Sequence, residues 1–181
     1  VSRLPTIDPT HASGTTKDLL DLTQAQLGRV PNLYRTMANA PAALNGYLSF
    51  RAALVGGELN NHLREQLALL IAEENACEYC VSAHVFRGQK LGLSADEIAA
   101  NRQAGASDPT TAAALQFARA VTRARGAVSD RELSEVRAAG WSDAAIAEIV
   151  AHVALNTFSN YFNHVAQPAL DFPRVEVAAA A

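Results

Sequence analysis

Apolar positions recur along almost the whole chain at intervals of three and four, the spacing that gives a helix one apolar face. Thr15 or Thr16 can cap a first helix, whose apolar side is Leu19, Leu20, Leu22 and Leu27, and Gly28 ends it. Pro31 suits the first turn of a short helix reaching Asn39. Pro41 opens another, carrying Leu44, Leu48, Leu54 and Val55 up to Gly56-Gly57. Two helices follow over about 60–74 and 77–91, with Leu63, Leu67, Leu70 and Ile71 on the first and Val81, Val85 and Leu91 on the second. Ser94 and Glu97 predict a capping box for a helix through about Gln103, and Ser129 and Glu132 a second box for one through Ala139. Between them, 110–125 is helical with Ala114, Leu115, Phe117, Ala118 and Val121 inward. Ser142 caps a long last helix to about Val165. No segment alternates as a strand does, so the fold class is all-α.

The 181 residues suffice for one helical domain with a sizeable core, placed here at 15–167. Pro5, Pro9 and Gly14 mark 1–14 as an irregular arm, laid over a neighbour, and Pro168 and Pro173 mark 168–181 as an irregular tail. A net charge of −3 speaks against nucleic-acid binding, which needs a basic face. No apolar run reaches the length of a membrane span, and the start of the chain lacks the apolar segment of a signal peptide. A cytoplasmic protein is expected.

The last helix carries two unlike faces. Ile146, Ile149, Val150, Val153, Phe158, Phe162 and Val165 form an apolar one. His152, Asn156, Asn160 and His164, four apart, form a row that is polar yet uncharged. A solvated face normally carries Lys and Glu, so this row is read as buried. It belongs to a subunit interface, to the wall of a site, or to a hydrogen-bonded row within one subunit.

Chemistry concentrates between Glu65 and His84. The only two cysteines, Cys77 and Cys80, are spaced C-x-x-C, and His84 lies four residues beyond the second. If the first helix of this pair stops near Asn75 and the chain turns back, Glu65 lies about ten residues up one helix and His84 about nine up the next. Both are then roughly 14 Å from the turn, level with each other. Cys80 and His84 are surface neighbours at i and i+4. In a reducing compartment such a cysteine pair is more often redox-active, catalytic or metal-binding than a structural staple. Zinc held by Cys77, Cys80, His84 and Glu65 is one alternative. Val81 after Cys80 excludes c-type haem attachment, and no βαβ setting supports a thioredoxin-like pair. Tyr79, between the cysteines, either donates a hydrogen bond in the site or packs. Glu73 and Glu74 are expected in solvent, and Trp141 as a core anchor.

Read as E-x11-C-x2-C-x3-H, these residues resemble the signature of the AhpD-like alkylhydroperoxidases within the carboxymuconolactone decarboxylase superfamily. Val30-Pro31-Asn32-Leu33, Ile149-Val150-Ala151-His152 and Asn160-Tyr161-Phe162-Asn163-His164 resemble its peroxidase-related branch. The resemblance implies an all-helical protein that assembles as a homotrimer or homohexamer. It implies a peroxide substrate, Cys80 as the peroxidatic cysteine, Cys77 as the resolving one, and Glu65 with His84 as a proton relay. The best-known hydroperoxidase has a histidine where this chain has Tyr79. The reaction so implied needs an external dithiol reductant and no metal, haem or flavin. A redox-switched interaction module and a decarboxylase-like acid–base lyase are the competing functions.

Overall fold

A computed structural model describes residues 2–178. Among them are nine helices and no strand: α1 (Gly14–Leu27), α2 (Asn32–Met37), α3 (Pro41–Val55), α4 (Asn61–Glu74), α5 (Glu78–Lys90), α6 (Ala95–Arg102), α7 (Pro109–Arg123), α8 (Asp130–Ala138) and α9 (Asp143–Ala166). The all-α class and the order of elements agree with the apolar spacing.

Helix α4 is the centre of the molecule. From Gln66 to Ala72 every residue is buried, the pattern of a helix covered on all sides. Leu69 and Ala72 join one core cluster with Leu20, Leu33, Tyr34, Met37 and Val81. Leu63, Leu67, Leu70 and Ile71 join a second with Leu115, Phe117, Val136, Ile146 and Ile149. Truncating a fully buried leucine such as Leu67 or Leu70 to alanine would cost about 2–5 kcal/mol.

Helix ends follow their capping residues with two exceptions. Helix α1 begins at Gly14 after Ser13, which makes no side-chain cap bond, so neither Thr15 nor Thr16 is its cap. Ser129 and Glu132 form a complete reciprocal box at α8. At α6 only half of the expected box exists. Ser94 Oγ accepts from the Glu97 N–H at 3.1 Å, but the Glu97 carboxylate turns away to accept from Gln66, Asn101 and the Ser107 N–H. Three donors offered by packed neighbours outcompete a single exposed backbone N–H.

Other expectations need correction. Leu22, Val55 and Leu91 are exposed, because α1, α3 and α5 each turn that edge of the apolar side outward. Glu73 and Glu74 are not free in solvent: they pair with Arg102 at 2.7 Å and Arg123 at 2.6 Å. Trp141 is half-buried against the second cluster and donates Nε1–H to the Thr110 carbonyl at 2.9 Å. On α9 the apolar face divides. Ile146, Ile149 and Val153 are buried, while Val150, Phe158 and Val165 are exposed and Phe162 is half-buried.

The described parts of both arms, 2–13 and 168–178, are irregular and pack on this same chain. The Arg3 N–H donates to the Ala166 carbonyl at 2.7 Å and the Ile7 N–H to the Arg35 carbonyl at 3.1 Å. The tail is described to residue 178. It is tied down by Val175 N–H to Ser82 Oγ at 2.9 Å, Arg174 to Glu78 at 2.9 Å, and Phe172 packed against Tyr79 and Phe86. No helix of the described residues is long and apolar enough to cross a membrane.

Candidate active site

The site is built on the α4–α5 hairpin. Asn75 is the C-cap of α4, and Ala76 takes the left-handed conformation at φ 51°. For a residue with a Cβ that conformation costs about 1–2 kcal/mol. The cost is met locally: the Ala76 N–H donates to the Glu73 carbonyl and the Cys77 N–H to the Ala72 carbonyl, both at 2.9 Å. The lower half of the α9 polar row holds the same turn. Asn75 Nδ2 donates to Asn160 Oδ1 at 2.9 Å, and the Asn75 carbonyl accepts from His164 Nε2 at 2.7 Å.

This turn places Cys77 at the N-cap of α5, where its sulfur accepts from the Cys80 N–H at 3.3 Å. The two cysteines are joined as a disulfide, with Cα atoms 5.2 Å apart, and are 2% and 3% exposed. Once reduced, either sulfur sits at the positive end of a helix, which favours the thiolate. Asn163 of α9 donates Nδ2–H to Cys80 Sγ at 3.2 Å from a buried position. In the sequence Asn163 stands out only as part of the Asn160–His164 segment, with no role of its own.

Glu65 and His84 meet as their level positions predict: His84 Nδ1 lies 2.6 Å from Glu65 Oε1, with side chains 12% and 14% exposed. Burial pulls the Glu65 carboxyl upward. The His84 ring, its hydrogen bond, and the charges of Arg87 and Arg51 outweigh this and hold it below the usual carboxylate range. Glu65 is therefore ionised at neutral pH, and it fixes the imidazole through Nδ1. That leaves Nε2 for proton traffic.

His84 stands between two spaces. On one side a narrow gap of about 20 Å³ is lined by Cys80, His84, Tyr34, Tyr79 and Asn163. On the other a cavity of about 540 Å³ is lined by His84 and Glu65 together with Arg51, Arg87, His152 and Asn156. The upper half of the α9 row is thus a cavity wall, and the lower half is a hydrogen-bonded clamp on the hairpin. His152 is 5% exposed, and its pKa is lowered to about 4 by burial, with Arg64 adding to the effect. Arg87, one turn beyond His84 on the same face, is likewise unmarked in the sequence. Burial works against its charge, but Tyr34, Glu65 and Tyr47 more than compensate.

Tyr79 packs and donates at once. Its hydroxyl donates to Asp171 Oδ2 in the tail and accepts from the Leu33 N–H at 3.2 Å. Burial and the Asp171 carboxylate push its pKa up. It does not take the place of a relay histidine; it pins the tail and α2 against the cysteine pair. Among the described residues, no group of three or more His, Cys, Asp or Glu side chains is placed to hold a metal ion.

The pattern of the carboxymuconolactone decarboxylase family matches residues 41–124, the segment that contains all four signature residues. An alkylhydroperoxidase AhpD core, an uncharacterised peroxidase-related protein from Ralstonia eutropha JMP134, superposes with a TM-score of 0.81 at 27% identity, over 94% of this chain and 93% of its own. The chain has an AhpD-like fold and carries the carboxymuconolactone decarboxylase pattern across residues 41–124. An uncharacterised peroxidase-related protein from Silicibacter sp. TM1040 shares the fold with a TM-score of 0.79 at 24% identity, covering 92% of this chain and 89% of its own. A cysteine-to-alanine variant of the debrominase Bmp8, in complex with 2,3,4-tribromopyrrole, shares it with a TM-score of 0.78 at 19% identity, covering 94% of each chain. No curated protein matches this chain in sequence. The AhpD-like fold therefore accounts for the helical hairpin and its signature, while its relatives span more than one chemistry.

Proposed function

We propose that this AhpD-like protein is a thiol-dependent reductase of organic hydroperoxides. The observation that carries the reading is the mostly buried 2.6 Å pair of Glu65 and His84, with His84 one turn along α5 from a cysteine pair able to form a disulfide. An acid–base lyase has no use for the disulfide. A redox switch without turnover has no use for the relay.

In the reduced protein, His84 takes the Cys80 thiol proton, and Glu65 stabilises the imidazolium that results. The Cys80 thiolate attacks the distal oxygen of ROOH. The O–O bond breaks, a Cys80 sulfenic acid forms, and the alkoxide leaves as ROH with the proton from His84. Cys77 then attacks Cys80 Sγ, the S–O bond breaks, and the displaced hydroxide leaves as water with the Cys77 thiol proton. The product is the disulfide seen in this structure. An external dithiol, oxidised in turn to its own disulfide, returns the pair to the reduced state by exchange. A homotrimer or homohexamer in a reducing, cytoplasmic setting belongs to the same proposal.

The test is turnover with organic hydroperoxide and excess dithiol. Cys80→Ser abolishes it. Cys77→Ser still consumes one equivalent of peroxide and holds a sulfenic acid at Cys80 that dimedone traps. Full dithiol-dependent activity in Cys80→Ser would overturn the assignment.

A further inference from the structure

The 540 Å³ cavity beside His84 is unusually cationic for this chain. Its lining contains Arg29, Arg51, Arg64, Arg87 and Lys90 against one carboxylate, Glu65, although the protein as a whole carries a net charge of −3. Most of these cations are occupied. Arg64 donates to the Leu54, Val55 and Leu59 carbonyls at 3.0–3.3 Å. Arg29 lies over the Phe172 ring and Lys90 over Phe86. Arg87 sits against Tyr34, Glu65 and Tyr47.

Arg51 lines the cavity half-buried and, like Arg87, has no hydrogen bond or ion pair among the described residues. A second observation points the same way. His152 is 5% exposed, lines the same cavity, and its Nε2 has no hydrogen-bond partner among the described residues. A buried polar atom left without a partner costs about 1–3 kcal/mol, which a bound polar group would relieve. The rest of the lining supplies apolar surface through Leu27, Val55, Ala68, Leu91, Leu155 and Phe172. An apolar pocket with a few convergent polar groups, of this volume, is the ordinary form of a small-molecule site.

We propose that this cavity binds an amphipathic organic carboxylate. The acid head is held by Arg51 and His152, and the substrate of the reaction above is a hydroperoxide that bears a carboxylic acid. His84 also lines the gap beside Cys80, so the reacting –OOH end lies there and the head is the end held by Arg51 and His152. The ligand class rests on the reading of this site as a hydroperoxide reductase, but its binding can be measured without that reaction.

Octanoate and 1-octanol, which share a tail and differ in head charge, are titrated by calorimetry into the wild-type protein and into Arg51→Glu. Circular dichroism shows whether the variant is folded. Octanoate should bind the wild-type protein at least about ten-fold more tightly than 1-octanol, as expected of one half-buried charge-assisted contact. That preference should disappear in Arg51→Glu. Raising NaCl from about 0.05 to 0.5 M should narrow it in the wild-type protein, a measurement that stands even if the variant does not fold. Equal affinity for acid and alcohol, no binding of either, a preference insensitive to salt, or one retained in folded Arg51→Glu would each overturn the proposal. Neither ligand can be reduced, so a failure of peroxide turnover would leave these numbers intact and bear on the reaction alone.

Discussion

Replacing Glu65 with glutamine isolates the relay with little disturbance of packing. The two side chains have nearly the same shape, so α4 keeps its place between the two cores, but the negative charge 2.6 Å from His84 Nδ1 is gone. A hydrogen bond to a charged group contributes about 1.5–3 kcal/mol, and each 1.4 kcal/mol is a factor of ten. Loss of that support for the imidazolium should slow oxidation of the reduced protein about 10- to 100-fold. The contact is mostly buried, so solvent screening should not erase the effect. Quenched-flow thiol counting, with reduced protein mixed with excess organic hydroperoxide at pH 7, measures the rate constant, and a thermal melt of the same sample checks the fold. A folded Glu65→Gln protein oxidised within about two-fold of the wild-type rate would refute the relay. Glu65 would then be a structural partner of His84 and nothing more.

Two further outcomes follow from the same geometry. The folded protein holds His152 neutral, with its pKa lowered to about 4, while an unfolded chain takes up that proton near 6.5. The unfolded state thus binds more protons between those values, and stability should fall as pH drops through this window, by about 2 kcal/mol from pH 7 to pH 5. Urea titrations at the two pH values measure this, and His152→Asn should flatten the slope. Asn163→Leu removes the amide donor to Cys80 Sγ, which favours the thiolate, so the pH profile of iodoacetamide alkylation in a Cys77→Ser background should move to higher pH. An unshifted profile would show that Asn163 serves packing alone.

The parts of this protein that could be read in the sequence are those set by local spacing. Helix periodicity and capping residues located all nine helices because side chains at i, i+3 and i+4 share a face wherever they occur. The meeting of Glu65 and His84 was also legible, since equal distances from one turn on antiparallel helices give equal heights. What escaped depends on which neighbour each face meets. Glu97 leaves its capping box because Gln66, Asn101 and Ser107 surround it, and they come from three different segments. The exposure of Val150, Phe158 and Val165 on α9 follows from which side packs on α4, and no pattern within α9 records that. Arg87 and Asn163 lay one residue type away from notice. Arg87 follows His84 at i+3, and Asn163 adjoins the polar row, yet only the tertiary fold brings one to Glu65 and the other to Cys80. The tail is irregular as its prolines imply, but the contacts of Asp171 with Tyr79 and Asn32 bind it to the site across some 90 residues or more of sequence.

The central claim is that peroxide oxidises this cysteine pair as a unit. The direct measurement is to reduce the protein fully, remove the reductant, add one equivalent of organic hydroperoxide, and count thiols while mass spectrometry maps the sulfurs. The account predicts that both thiols vanish together, that Cys77 and Cys80 are recovered as one bridge, and that one equivalent of the corresponding alcohol appears. Two thiols remaining beside unconsumed peroxide would contradict it.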